Sequence, residues 1–347
     1  MLKKIIFLIV SYLFIISAGN ILAEDNPNLS VFKYFRTNYP YDDEEKNVTA
    51  FNEFFKGTKE SVPVKASELK IEFPYKVIMV RGLFTKLYVD IAKIAGTAIS
   101  LPDGYVDSFY DLKNWLTSLG IENTILPTNT QVGSIVNAEE LRDAILTSNK
   151  PVLLISHSKG GVDTIYALVN YPEIREKVVG WVSIQSLFYG TKLIDYIVNN
   201  PLFSKIISER ILEYGGDPKS LYDITSLQTK KFMETNSKEI NDILNKIPVV
   251  SIGSRFVSPA LFSIVPMNSR SILDSTNNIL YMSGDVDNDG LVSTIGTCLK
   301  GSVCVFLDNF DHTGAVMSLT PFFSISHEER LQFAWSVLNM VTSRIKH

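Results

Sequence analysis

Cysteine and histidine are scarce in this chain, with 2 and 4 copies among 347 residues. No histidine lies near Cys298 or Cys304, and two thiolates do not complete a tetrahedral shell, so a structural zinc site is disfavoured. Charge of one sign is also lacking: 33 Lys and Arg face 37 Asp and Glu, a formal charge of -4. That balance argues against a polyanionic partner such as nucleic acid. No repeat period and no low-complexity tract stands out. The apolar run Ile5 to Ile16 falls short of the about 20 residues that a transmembrane helix needs. Lys3 and Lys4 precede it and small residues follow, which is the layout of a secretory signal peptide occupying residues 1–23. Cleavage is expected after Ala23, with Gly19 the next choice; because Ile21 is large for its place, an uncleaved anchor is the alternative. Either way the folded part is exported, secreted or periplasmic, and the charge without Lys3 and Lys4 becomes about -6. In an oxidising compartment Cys298 and Cys304, close together in CLKGSVC, are expected to close a small disulfide loop, two buried free thiols being the alternative.

Residues 24–70 are polar, aromatic-rich and weakly periodic, and read as an extension lying over the core. From residue 71 to 347, short apolar runs alternate with helical segments, the pattern of crossovers in a parallel sheet. The expected strands are Lys76 to Val80, Asn123 to Pro127, Val152 to Ile155, Val178 to Ile184, Ile247 to Ile252, Ile279 to Met282 and Val303 to Leu307. Helices are expected from Asp107 to Leu119, from about Asn137 (with Glu140 three residues on) to Ser148, and after the Ser326–Glu329 capping box. Residues 187–275 break the rhythm with amphipathic helical segments around one core strand near 247–252. They read as a helical cap, or as enlarged crossover helices.

The most informative stretch is PVLLISHSKGGVDTIYAL, from Pro151 to Leu168. An apolar strand runs into Ser156-His157-Ser158-Lys159-Gly160-Gly161, and a helix-compatible segment follows. This matches the G-x-S-x-G nucleophile elbow, with Ser156 in place of the first glycine, in which a strained turn lifts a serine hydroxyl above a parallel sheet. Ser158 is the candidate nucleophile. A serine hydroxyl needs a base to take its proton. Of the four histidines, His157 is expected to point away from the site, His347 is the last residue and His327 reads as a solvated helix-start residue. His312 remains, in the loop after the last strand, where the hydrolase order of serine, acid and histidine expects its base.

The acid is expected in YMSGDVDNDGLVS, which offers Asp285, Asp287 and Asp289. Those three with Gly290 also match the opening of an EF-hand loop, but its twelfth position is Gly296 where a bidentate glutamate is required. A looser calcium site using Asp285 and Asp287 stays open. The oxyanion hole needs two backbone N–H groups. Lys159, after the nucleophile, supplies one, and the turn at Gly82 in VIMVRGLFTK is placed to supply the other, unless Arg81-Gly82 is a plain turn.

The segment NDGLVS resembles the one that carries the triad aspartate in secreted bacterial triacylglycerol lipases of the α/β-hydrolase superfamily. The resemblance runs from about Lys76 to His312. It implies Asp289 as the acid, Asp285 being the fallback, and Leu83 as the second oxyanion donor, although Arg81 stands where those lipases carry histidine. Only Gly190 and Thr191 echo their Thr-Pro-His-x-Gly-Ser segment, and Gly314 replaces the calcium-binding aspartate many of them have after the histidine. The implied fold is α/β-hydrolase: a mostly parallel central sheet flanked by helices, with a helical cap insertion. The implied function is ester hydrolysis through an acyl-enzyme on Ser158, with an ester substrate of lipid-like character and transient contact with a membrane surface. No cofactor and no metal enters this chemistry. An inactive hydrolase-fold surface or binding protein is the alternative.

Overall fold

The computed structural model describes residues 62–69, 72–83, 108–255, 269–308, 311–317 and 326–345, with short pieces at 33–34, 47, 51–53 and 55. The segment 1–23 therefore lies outside the described residues, as does most of 24–70. Among the described residues seven strands form one sheet: β1 (Lys33–Tyr34), β2 (Lys76–Val80), β3 (Asn123–Ile125), β4 (Val152–His157), β5 (Val178–Ile184), β6 (Val249–Arg255) and β7 (Val303–Asp308). Their order is β1-β7-β6-β5-β4-β2-β3, and β2 to β7 are all parallel. β1 pairs antiparallel with β7, Lys33 opposite Asp308.

Alternate residues of each strand feed two apolar layers, because successive side chains point to opposite faces. On one face Met79, Ile155, Ile184, Ile252 and Leu307 pack against helix α1 (Tyr110–Ser118) and the C-terminal helix α9 (His327–Thr342). On the other, Ile78, Leu154, Trp181 and Val249 meet α2 (Ser134–Leu146), α3 (Lys159–Asn170) and α7 (Ser237–Lys246). β4 is buried along its whole length. This is why VLLIS reads as a continuous apolar run: helices cover both faces of a parallel sheet.

Between β5 and β6 lie α4 (Lys192–Asn199), α5 (Pro201–Glu213), a 3₁₀ turn at Pro218–Ile224, α6 (Ser226–Thr235) and then α7. They divide by what they cover. Met233 of α6 and Ile240 and Ile243 of α7 join the sheet layer. Ile194 of α4, Ile211 of α5 and Leu221 and Ile224 of the turn instead form a separate cluster with Val162 and Val292, beside the start of α3.

Two element expectations need correction. Ile279 to Met282 is no strand but the last turn of α8 (Ser269–Met282). Leu280 is buried while Ile279, Tyr281 and Met282 are exposed, so the four-residue apolar run goes once round the helix with one side chain inward, and a run so short cannot be told from a strand by periodicity. Asn137 does not start its helix either; α2 begins at Ser134, and Asn137 is fully buried one turn in. The capping box at Ser326 and Glu329 is present in both directions.

Candidate active site

β4 ends at His157, and the chain turns at Ser158 with φ 57° and ψ -129°. A residue with a Cβ pays of order 1–3 kcal/mol for such a backbone conformation, so the surroundings must enforce it. They do so by close approach. A Cβ on Gly160 would run into the carbonyl oxygens of Val80 and Arg81, and one on Gly82 would come within 2.7 Å of the Ser158 Cβ. Glycine at both places lets α3 and the turn after β2 close on the serine. Ser156 is tolerated at the elbow's first position because its Oγ, buried, accepts a hydrogen bond from Trp181 Nε1 at 2.9 Å.

Three sequence-derived residues meet above this turn. His312 Nε2 lies 2.9 Å from Ser158 Oγ, and His312 Nδ1 lies 2.8 Å from Asp289 Oδ2. A carboxylate only accepts, so Nδ1 carries the proton and Nε2 is left to accept from the serine hydroxyl. Asp289 is fully buried; its Oδ1 accepts from the N–H groups of Leu291 and Val292, and its backbone carbonyl accepts from His312 N. Asp285 and Asp287 are elsewhere. Asp285 pairs with Lys192 Nζ at 3.0 Å, and Asp287 with Arg255 at 2.6 Å. Among the described residues no three acidic, histidine or cysteine side chains converge as a metal site would need.

Lys159 is the first residue of α3, whose N-terminal N–H groups form the positive end of the helix dipole. Leu83 follows Gly82, the residue in contact with Ser158. The side chain of Lys159 is turned inward: fully buried, its Nζ bonds Asp163 Oδ1 at 2.7 Å, and Asp163 Oδ2 accepts from Asn137 Nδ2 at 2.8 Å. The i, i+4 spacing of Lys159 and Asp163 is visible in the sequence; the link to Asn137, 26 positions away in α2, is not.

His157 departs from expectation. It does not point away from the site but lies under His312, ring centroids 4.8 Å apart, with Nε2 2.7 Å from the His312 carbonyl oxygen. Burial, and next the neighbouring His312, push its pKa down to about 3. Ser158's positive φ breaks the strand's alternation, so two consecutive side chains can reach one loop. Asp311 is partly buried beside it; desolvation raises its pKa although its carboxylate accepts from Thr313 and Gly314. His327 is half-exposed beside Asp111, 3.3 Å away. Cys298 and Cys304 are joined, their Cα atoms 5.6 Å apart.

No protein-family model matches the chain, and no curated protein matches its sequence. Solved structures do match in shape. A metagenomic carboxyl esterase shares 18% identity over 95% of this chain and 90% of its own, with a TM-score of 0.65. The lipase of Staphylococcus hyicus shares 14% over 79% of this chain and 97% of its own, at 0.54. The mature lipase of Bacillus licheniformis shares 15% over 78% and 93%, at 0.51. At such identities the likeness is one of fold, and the chain has the α/β-hydrolase fold.

Proposed function

We propose that the chain is an exported serine hydrolase that cleaves carboxylic esters through an acyl-enzyme, of the lipase and carboxylesterase class. The observation that carries this reading is the continuous hydrogen-bonded series Ser158–His312–Asp289, largely shielded from water at the end of β4. Ser158 Oγ attacks the ester carbonyl carbon as His312 Nε2 takes its proton. Negative charge gathers on the former carbonyl oxygen, where the backbone N–H groups of Lys159 and Leu83 receive it. The tetrahedral species collapses, the carbon–oxygen bond to the alcohol breaks, and His312 returns the proton to that alcohol. Water then repeats the sequence on the acyl-enzyme, releasing the acid and restoring Ser158. Asp289 holds the imidazole in the Nδ1–H tautomer and stabilises the imidazolium at each step.

Substrates of lipid-like character are supported by the apolar cluster that α4, α5 and the turn at Pro218–Ile224 build beside the start of α3, which we read as a cap. Export rests on residues 1–23. The experiment is labelling of the purified protein with a fluorophosphonate, followed by hydrolysis of p-nitrophenyl esters from acetyl to octanoyl to read the acyl preference. Label is expected on Ser158. Ser158→Ala should lose label and turnover, on the order of 10⁴- to 10⁶-fold, while unfolding like the parent. A tenth of parental hydrolysis in that variant would sink the assignment.

A further inference from the structure

The base sits on a loop, and the bonds of the loop's backbone help to set where the base stands. The backbone of Asp311 and His312 makes three that matter. His312 N donates to Asp289 O at 2.9 Å, which ties the base to its acid. The other two come from beneath, from residues at the ends of β4 and β5. His157 Nε2 meets the His312 carbonyl at 2.7 Å, and Gln185 Nε2 meets the Asp311 carbonyl at 2.9 Å. Because both partners are carbonyl oxygens, the side chains must donate, so His157 carries a proton on Nε2; its Nδ1 is buried with no hydrogen-bond partner, which disfavours a second proton there. Gln185 is itself held by a second bond from the same nitrogen to Ser254 Oγ, at 2.6 Å, and by a backbone N–H to Ile252 O. His157, Gln185, Ser254 and His312 are all buried.

We propose that His157 is a positioning residue for the base: as a neutral Nε2–H donor to the His312 carbonyl, with Gln185 bonding the preceding carbonyl, it fixes the height and tilt of the His312 ring over Ser158. This rests on the reading of Ser158 and His312 as nucleophile and base. The two histidines work as opposites. His312 carries its proton on Nδ1, toward Asp289, and its Nε2 gains and loses one in every cycle. His157 carries its proton on Nε2 and keeps it. A second cation 4.8 Å from the imidazolium would oppose that intermediate, and a residue that cannot be charged there supplies the bond without the repulsion. Burial under the loop keeps His157 in this state, with a pKa near 3. Phe109, edge-on to the His157 ring with centroids 6.5 Å apart, donates its backbone N–H to Val316 O and so fixes the far end of the same loop.

The bond, rather than the ring's bulk, is the claim, and side-chain length separates the two. An amide nitrogen on glutamine reaches as far as histidine Nε2; on asparagine it reaches only as far as Nδ1. Four variants, His157→Phe, His157→Asn, His157→Gln and Ser158→Ala, are compared with the parent on a p-nitrophenyl ester. His157→Phe and His157→Asn should lose about 10- to 100-fold in kcat with KM within about twofold, since displacement of a reacting group by about 1 Å costs of order 10². His157→Gln should recover to within about threefold of the parent. Parental kcat in His157→Phe overturns the proposal, and so does a His157→Gln as slow as His157→Phe. Ser158→Ala reads the underlying assignment separately, because parental activity there removes the nucleophile whatever His157 does. A measurement on the unsubstituted protein stands even if the variants fail to fold. Ring ¹⁵N shifts at neutral pH should show His157 as the Nε2–H tautomer and His312 as the Nδ1–H tautomer. The Nδ1–H tautomer at His157 overturns the proposal directly.

Discussion

Asp289 and Asp285 stand four positions apart in one loop, and their partners separate them. Asp289 has one oxygen on His312 and the other on two backbone N–H groups; Asp285 faces Lys192 in partial exposure. Asp289→Asn should keep the shape of the site but favour the wrong imidazole tautomer, a change that costs about 10⁴ in the Ser-His-Asp protease template. Asp285→Asn should cost less than tenfold, since an exposed ion pair contributes about 0–1 kcal/mol. Steady-state rates of both variants, with and without a chelator, decide it; near-parental turnover in Asp289→Asn would move the acid elsewhere. Ser158 and His312 are legible as candidates because one sits in a short local pattern and the other has few competing histidines, whereas Asp289 is singled out among three aspartates only by the resemblance of NDGLVS. His157 is not legible, for its partner is 155 positions away and the expected direction of its ring assumes a regular strand end.

Helix α3 carries a cost that its sequence shows only in part. Lys159 places a cation at the helix end where the dipole is already positive, and Asp163, one turn on, neutralises it inside the protein. Breaking such a pair strands a buried charge. Asp163→Ala should therefore lose roughly 3–5 kcal/mol of stability, whereas Lys159→Met combined with Asp163→Leu should lose much less. Urea unfolding of the two proteins tests this, and equal midpoints would mean that Lys159 finds another partner or reaches water. Strand and helix positions were readable wherever an apolar run had both length and flanking punctuation, as in Val178–Ile184. Where the run was four residues long, at the end of α8, periodicity could not decide between helix and strand.

Over the whole molecule, desolvated ionisable groups contribute to how the fold answers acid. His157 has a folded pKa of about 3 against an ordinary 6.5, so the unfolded chain binds its proton first; the stability this group contributes is complete above 6.5 and lost as pH falls from there toward 3. Asp311 and Asp223 have raised values, each mainly from desolvation, and act with the opposite sign, gaining stability on acidification through their own range. Comparing unsubstituted protein with His157→Gln isolates the histidine. The stability advantage of the unsubstituted protein should shrink as pH falls from about 6.5 to 4.5, read by Tm at matched ionic strength. Profiles that stay parallel would show that His157 titrates normally.

The pairing of β1 with β7 also has a temporal side. Lys33 and Tyr34 leave the ribosome among the first residues of the sheet, and their partners Asp308 and Leu307 among the last. Contacts so distant along a chain close slowly, because the entropy of a long loop must be lost before any of them forms. α9, which completes one whole apolar layer, is made later still. A growing chain thus holds its serine elbow for the length of about 150 further residues before the loop that carries His312 exists. On the proposed reading of the site, the Ser158 hydroxyl has no base beside it until synthesis has passed it by.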